Sequence, residues 1–284
     1  MSALPPYATT GQRIWHYGFR VICGIIFFFL IFPILVIIPL SFNAENYFTF
    51  TPAMLSLDPD GYSLQHYAKF FADSDWQAAM SNSLKIAPMA TILSVGFGTL
   101  AAIGLSQRHV PFRGVIMAIL ISPMIVPLII SAAGMYFFYS RLGLQGTYLG
   151  VVLAHAALGI PFVIITVTAT LVGFDHSLTR AAASLGATPW TSFFKITLPL
   201  ILPGVVSGAL FAFVTSFDEV VVVLFVADFD QQTIPRQMWN GIREQISPAI
   251  LAVATILVLF SIALLTTVEL LRRRSERLRG LTPQ

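Results

Sequence analysis

The chain has 284 residues, of which 56% are hydrophobic and 10% are charged, with a formal net charge of +3. Soluble domains usually carry about 25% charged residues, so this composition excludes an ordinary water-soluble fold. The mean hydropathy of +0.81 and the long uncharged runs indicate one membrane domain that covers 1–284.

Six apolar runs are long enough to cross a hydrocarbon core roughly 30 Å thick, for which a helix needs about 20 residues. They predict transmembrane helices at 21–42, 84–106, 114–139, 148–173, 201–226 and 248–270. The first run follows Arg13 and Arg20, as in a signal peptide, but it is too long and no cleavage site of small residues follows it. We therefore expect an all-α integral membrane protein with six transmembrane helices.

Lysine and arginine accumulate on the cytoplasmic face of membrane proteins, and their positions predict the orientation of this chain. Most of them fall on one face, namely Arg13, Arg20, Arg108, Arg113, Arg180, Lys195, Arg272, Arg273, Arg274, Arg277 and Arg279. We therefore expect both termini in the cytoplasm, with an N-terminal segment at 1–20, a loop at 174–200 and a basic tail at 272–284. The same positive charges give no basic soluble face, so nucleic acid is not an expected partner.

The two long external segments, 43–83 and 227–247, each contain a helical pattern. Ser63 is a suitable N-cap for SLQHYAKFF, in which apolar residues recur at helical spacing. In the second segment, Pro235 suits a first helical turn and Gly241 suits a helix end. Such helices either rest in the membrane interface or dock a partner, and the sequence leaves both open.

The loop at 174–200 predicts a helix, a glycine turn and a second helix. LTRAAASLG is rich in helix formers and is stopped by Gly186, after which Thr188 can cap a helix that begins at Pro189. The second helix surrounds Lys195 with apolar residues that include Trp190. An exposed apolar helix of this kind indicates an element that lies in a groove on another protein.

This loop resembles that of the permease subunits of binding-protein-dependent ABC importers, which carries an EAA motif, a glycine and a downstream leucine-proline pair. The residues that match the pattern are Ala181, Ala182, Gly186, Ala187, Leu198 and Pro199. Arg180 stands at the position of the motif's glutamate. The resemblance implies an ABC importer type I permease fold, in which these residues, with Arg180 and Lys195, contact an ATPase subunit. An ordinary amphipathic loop beneath the membrane is the alternative.

Two further stretches of sequence indicate a subgroup of this family. SFDEVVVVLFVADF and TIPRQMWNGIREQISPAILAVATILV resemble the permeases of polyamine importers, including those for spermidine and putrescine. The resemblance implies a multi-pass protein of the bacterial cytoplasmic (inner) membrane that imports a small cationic solute. It also implies a second permease in a heterodimer, two ATPase subunits and a soluble extracytoplasmic solute-binding protein. ATP and Mg would be bound by the ATPase, and this chain would bind no cofactor.

Two adjacent carboxylates interrupt the fifth apolar run. A carboxylate within a span is costly and normally faces a wet cavity or a partner. If the helix is continuous from Leu202, Asp218 lies about 24 Å along it, in the outer half of the membrane. Aromatic and carboxylate groups together suit an alkyl chain that bears ammonium charges. The candidate residues of a substrate pathway are Asp218, Glu219, Thr215, Phe211 and Phe217.

The neighbours of these carboxylates refine the hypothesis. Adjacent side chains of a helix point about 100° apart, so we expect one carboxylate to line the pathway and the other to be structural. Gly204, Gly208, Ala212 and Ser216 recur every four residues, which predicts a close approach of another helix. In the fourth run, His155 is predicted to be a hydrogen-bonded packing residue rather than a proton carrier.

The motifs of enzymes are missing from the sequence. It has no GxxxxGK[ST] phosphate-binding loop, no HExxH and no serine-histidine-acid arrangement, and its one cysteine, Cys23, has no partner. We therefore predict a transport subunit that has no catalytic residue and no metal site and is not an enzyme.

Other functions stay open at this point. The same machinery could carry an opine, an aminophosphonate or another amine. A secondary transporter could use Asp218, Glu219 and His155 as an ion relay, although it would need inverted repeats and broken helices at the midplane. A channel-like or purely structural membrane subunit is the third possibility.

Overall fold

The computed structural model describes residues 7, 9–107, 109–244 and 248–278, which fold almost entirely as helices. The first seven α-helices are α1 (Thr10–Leu40), α2 (Pro52–Leu55), α3 (Gln65–Ala72), α4 (Ser74–Ser106), α5 (Arg113–Ile125), α6 (Leu128–Leu142) and α7 (Tyr148–Val172). The others are α8 (Ser177–Ser184), α9 (Pro189–Ser192), α10 (Leu198–Phe217), α11 (Val221–Val226), α12 (Ile234–Glu244) and α13 (Ala249–Leu278). Short 3-10 turns cover Pro59–Gly61 and Phe229–Gln231, and a π-helical turn covers Phe193–Thr197.

The described residues group into two compact units. One lies within 1–72 and 245–270, and the other lies within 73–244 and 271–284. Parts of the predicted N-terminal segment, together with Arg108 and the end of the basic tail from 279 onward, lie outside the described residues.

In the first unit, the segment after α1 folds compactly through local hydrogen bonds. The Asn43 side-chain amide donates to the carbonyl oxygens of Tyr47 and Thr49, each at 3.0 Å. Helix α3 starts where the sequence predicted, because the Gln65 N–H donates to the Ser63 hydroxyl at 3.2 Å. Its Phe70 is buried. The segment that follows α1 is therefore tied together by its own polar groups.

The apolar runs correspond to long helices, with two differences. The described residues contain five helices long and apolar enough to cross a membrane, or six if α5 and α6 count as one span. The third predicted span is wrong as a continuous helix, because α5 and α6 meet at an angle of 103°. Pro127 explains the bend, since a proline disfavours helical conformation in the preceding residue and Val126 is extended. The fifth predicted span ends early, at Phe217.

In the second unit, α4, α7 and α10 pack closely through small residues. The predicted face of α10 is confirmed, since Gly204, Gly208, Ala212 and Ser216 are buried. A Cβ atom at Gly208 would lie 2.6 Å from the Thr166 Oγ1 atom of α7, so only glycine fits there. This contact holds α10 against α7 along the part of the helix that precedes the carboxylates. The two carboxylates follow the C-terminal end of α10.

Candidate functional site

The two adjacent carboxylates lie in a break between helices. Helix α10 ends at Phe217, and the Asp218 N–H donates to the Val214 carbonyl oxygen at 3.0 Å. The chain then turns and forms α11, whose Val222, Val223 and Val226 are fully buried. The prediction of one helix over 201–226 is therefore wrong at its end, because burial of α11 in the core redirects the chain.

The break gives the two carboxylates opposite environments. Glu219 is 7% exposed, and its Oε1 atom accepts the Val222 N–H at 2.8 Å. The N–H groups of Val220 and Val221 also face this carboxylate, which therefore satisfies the start of α11. The Asp218 side chain is exposed, and within the described residues its carboxylate has no hydrogen-bond or ion-pair partner. Glu219 is thus buried and bonded to the start of α11, while Asp218 is exposed.

A positive charge lies at the other end of α11. The Arg236 Nη1 atom of α12 donates to the Val223 carbonyl oxygen at 3.4 Å, and its Nε atom donates to the Asn240 Oδ1 atom at 3.2 Å. A cation near the last carbonyl groups of a helix and an anion near its first N–H groups both interact favourably with the helix dipole and stabilise the helix. Helix α11 is therefore held at both ends, which fixes the position of the break.

Aromatic rings lie along α10 in the turns that precede the break. Phe211 is 53% exposed and stacks on Phe162 of α7, with ring centroids 5.8 Å apart. Phe217 is half-buried and stacks on Phe213 at 5.5 Å, and Thr215 is also half-buried. Of the five predicted pathway residues, Asp218 and Phe211 are the exposed ones, and Glu219 lies apart from them in the core.

His155 is buried and hydrogen-bonded, as its sequence context predicted. It is completely buried, and its Nδ1 atom lies 2.8 Å from the Ser216 Oγ atom. Nearby, the Ser94 hydroxyl of α4 donates to the Ala156 carbonyl oxygen at 3.0 Å. These polar contacts join α4, α7 and α10 just before the break.

The loop at 174–200 folds as the sequence predicted. Helix α8 is followed by Gly186, whose φ of +81° is the left-handed conformation that favours glycine. The Thr188 hydroxyl then accepts the Thr191 N–H at 3.2 Å and caps α9, which begins at Pro189. The helix, glycine turn and second helix are therefore confirmed.

The join between this loop and α10 has a feature that the sequence analysis missed. Between α9 and α10 the backbone widens to a π-helical turn, in which the Leu198 N–H donates to the Phe193 carbonyl oxygen. Pro199 accounts for the wider turn, because it has no N–H and its ring would clash with the Lys195 carbonyl group in an α-helix. Pro199, seven residues after the end of α9, was the available signal in the sequence.

The motif residues of the loop lie on different sides of it. Ala182 is buried, while Arg180, Ala181, Gly186, Lys195 and Pro199 are exposed, and Ala187 and Leu198 are half-buried. A cavity of about 530 Å³ separates the loop from the ends of α4 and α7. Its lining includes Ser106, Leu171, Thr179, Ala183, Phe193 and Thr197. The loop therefore does not pack tightly against the ends of α4 and α7 at this place.

The outward side of the loop is apolar. Leu185 is 89% exposed and Trp190 is 73% exposed. The Trp190 ring stacks on Phe194, with centroids 6.0 Å apart and planes inclined by 14°. Large apolar side chains that are exposed on a loop form the kind of surface that another molecule covers.

A second network, not predicted from sequence, fixes the segment after α11. The Asn82 side-chain amide donates to the carbonyl oxygens of Asp230 and Gln232, at 2.8 and 2.9 Å. The Tyr148 hydroxyl donates to the Asn82 Oδ1 atom at 2.8 Å. Asn82 is buried at the start of an apolar run, and this position was the only signal in the sequence. The network joins α4 and α7 to the segment that leads into α12.

Several apolar spans, a helix broken at a carboxylate and a protruding helical loop together define an integral membrane transport protein. Residues 94–278 match the family described as binding-protein-dependent transport system inner membrane component, and the chain belongs to this family. It is therefore a multi-pass protein of the bacterial inner membrane and a transport subunit rather than an enzyme. Broken helices were expected of a secondary transporter, but the family assigns this chain to binding-protein-dependent transport.

Individual proteins agree with this assignment. The chain is 30% identical to the spermidine/putrescine transport system permease protein PotC of Haemophilus influenzae, over 88% of this chain and 95% of the relative. It is also 30% identical to the putrescine transport system permease protein PotI of Escherichia coli, over 81% and 82% of the two chains. A bacterial ABC transporter that imports alginate shares the fold, with a TM-score of 0.76, 16% identity and coverage of 93% and 99%.

Proposed function

We propose that this chain is a permease subunit of a polyamine importer and that the cationic solute passes Asp218. The observation that carries the proposal is the exposed Asp218 carboxylate, which stands at a helix break without a hydrogen-bond partner among the described residues. The similarity to permeases named for spermidine and putrescine supports a polyamine as the solute.

The chemistry of the break suits a chain of methylene groups with ammonium charges. The Asp218 carboxylate would pair with an ammonium group, while the exposed face of Phe211 would contact the methylene groups or a second ammonium group. The C-terminal end of the α10 dipole adds partial negative charge beside Asp218. Thr215 and Phe217 complete the candidate pathway, and Glu219 contributes by holding α11 in place.

The energy for import would come from a separate ATPase, which binds ATP and Mg. The exposed loop at 174–200, oriented toward the cytoplasm, is the proposed contact with that ATPase. The apolar side chains of Leu185, Trp190 and Phe194 would fill a cleft on its surface. Because Gly186 sets the angle between α8 and α9 and Pro199 joins the loop to α10, movement of the ATPase would reach the span that carries Asp218.

The complete importer requires further chains. A second permease would supply the opposite wall of the pathway, in a heterodimer, and two ATPase subunits would bind beneath the pair. A soluble solute-binding protein would deliver the polyamine from outside, after which closure of the ATPases would open the pathway inward.

Transport in proteoliposomes tests the proposal. The permease pair, ATPase and binding protein are reconstituted together, and uptake of radiolabelled putrescine and spermidine is measured with ATP inside. We expect uptake that stops when the ATPase carries an inactivating substitution and that persists when ion gradients are collapsed. Uptake that needs an ion gradient and continues without ATP hydrolysis would instead identify a secondary transporter.

The same vesicles distinguish polyamines from other amines. An excess of unlabelled opine, aminophosphonate or monoamine is added with labelled putrescine, in the presence of the binding protein. A polyamine importer retains putrescine uptake under these conditions, whereas competition by one of these solutes would replace the polyamine in the proposal.

A further inference from the structure

The loop at 174–200 directs a positive charge away from the rest of the protein. Ala182 is the buried residue of α8, and Arg180 precedes it by two positions. Two helical residues correspond to a rotation of about 200°, so Arg180 lies on the opposite side of α8 from the buried face. Its side chain is exposed and, in the described part of the chain, forms no hydrogen bond and no ion pair.

On the exposed side of the loop, no free carboxylate matches the positive charge of Arg180. Its one carboxylate, Asp175, accepts the Ser177 hydroxyl at 2.6 Å and the Ser177 N–H at 2.8 Å. These two hydrogen bonds, and to a smaller extent the charge of Arg180, lower the pKa of Asp175. The carboxylate is therefore ionised and already engaged at the start of α8, and Arg180 retains its hydrogen-bonding capacity.

The loop carries two exposed cations in addition to its exposed apolar side chains. Arg180 lies on α8 and Lys195 lies in the π-helical turn, and both side chains are exposed. Between them in sequence lie the exposed Leu185, Trp190 and Phe194. We call these five residues the coupling surface. A partner that covers it must accommodate an apolar patch and two positive charges.

We propose that the ATPase cleft which receives the coupling surface carries a carboxylate, from aspartate or glutamate, opposite Arg180. The inference rests on the proposed function, since it assumes that the partner of this loop is an ATPase. A guanidinium group that is covered by a partner without a hydrogen-bonding anion remains unpaired at a large cost. The planar guanidinium group and a carboxylate form two parallel hydrogen bonds, a geometry that lysine cannot reproduce.

The pairing of Arg180 with a carboxylate would also help to determine which ATPase binds the permease. An ATPase with a lysine or arginine at the same place in its cleft would face Arg180 with a like charge and bind poorly. The charge of Arg180 would therefore help the permease to choose its own ATPase among several in one cell. Lys195, as a flexible point charge, would contribute less to this choice.

Binding measurements with charge variants test the inference. The permease assembly in nanodiscs is titrated with its purified ATPase at low and high salt. Arg180→Glu should weaken binding about tenfold or more at low salt, and Arg180→Gln should weaken it less. The matched control is Arg113→Glu, which makes the same charge change at an exposed site outside this loop and should leave affinity unchanged.

A charge exchange then identifies the partner residue. Each carboxylate of the ATPase cleft is replaced by lysine in turn and tested against Arg180→Glu. One of these replacements should restore the affinity of Arg180→Glu to within about threefold of the wild-type pair while weakening binding to wild-type permease.

Several outcomes would overturn the inference. These are that Arg180→Glu binds as well as the wild type, that it binds more tightly, and that no replacement in the cleft restores its affinity. Each result would show that Arg180 does not face a carboxylate. Failure of the wild-type permease to bind any ATPase is a different result, because it removes the proposed function before the charge variants are compared.

Discussion

The Nδ1 atom of His155 lies 2.8 Å from the Oγ atom of Ser216, at a completely buried position two residues before Asp218. This hydrogen bond joins α7 to the last turn of α10. It therefore holds the end of α10, next to the candidate cation site, against α7.

Ser216→Ala should destabilise the protein by about 1–3 kcal/mol, because it leaves a buried imidazole nitrogen without its partner. The measurement is thermal unfolding of the purified protein in detergent. Ser122→Ala is the control, since the Ser122 hydroxyl is exposed and bonds only within its own helix, to Ile119. Equal stability of the two variants would contradict a role for the His155–Ser216 bond.

Asp218→Asn and Glu219→Gln should differ in what they impair. Asp218→Asn removes an exposed charge without breaking a described hydrogen bond, so we expect uptake of putrescine to fall about tenfold or more with unchanged stability. Glu219→Gln weakens the hydrogen bond to the Val222 N–H and should lower stability by about 1–3 kcal/mol. Uptake kinetics and thermal unfolding are measured for both, and normal polyamine uptake in Asp218→Asn would refute the cation site.

Gly186→Val should uncouple transport while leaving the spans folded. The φ of +81° at this position suits glycine, and a residue with a side chain costs about 1–2 kcal/mol there, although the surrounding space is open. We expect uptake per ATP hydrolysed to fall by about tenfold. Gly173→Val is the control, because that position is equally open and has a φ of −93°. Unchanged uptake in Gly186→Val would contradict the assignment of this loop to coupling.

Gly208→Ala should destabilise the packing of α10 against α7. The added Cβ atom would meet the Thr166 Oγ1 atom at 2.6 Å and the Val163 Cα atom at 2.8 Å, and we expect a loss of about 1–3 kcal/mol. Gly96→Ala on α4 meets no atom within 4 Å and should be neutral or slightly stabilising. The two variants are compared by thermal unfolding and by the yield of assembled protein, and identical behaviour would contradict the close contact.

Much of the architecture could be predicted because membrane spans depend on local composition. A run of apolar residues must be helical to satisfy its backbone in lipid, so the spans and their approximate limits follow from the sequence alone. The extended conformation at Val126 could also be expected from Pro127, although the angle of 103° could not. The sequence predicted an end for α12 at Gly241, but the helix continues through Gly241 to Glu244. A glycine is tolerated inside a helix when neighbouring contacts support it.

The sequence by itself determined that this chain crosses the membrane several times, that α10 presents a small-residue face and that a helix-glycine-helix loop protrudes from the spans. These features depend on residues close together in the chain. Only the tertiary structure decided which carboxylate is open. Glu219 is buried because α11 packs its valines against distant residues such as Val151 and Val152, and the same packing ends α10 at Phe217 and leaves Asp218 exposed. Two adjacent acidic residues look alike in sequence, and their separation arises from contacts that no local pattern records.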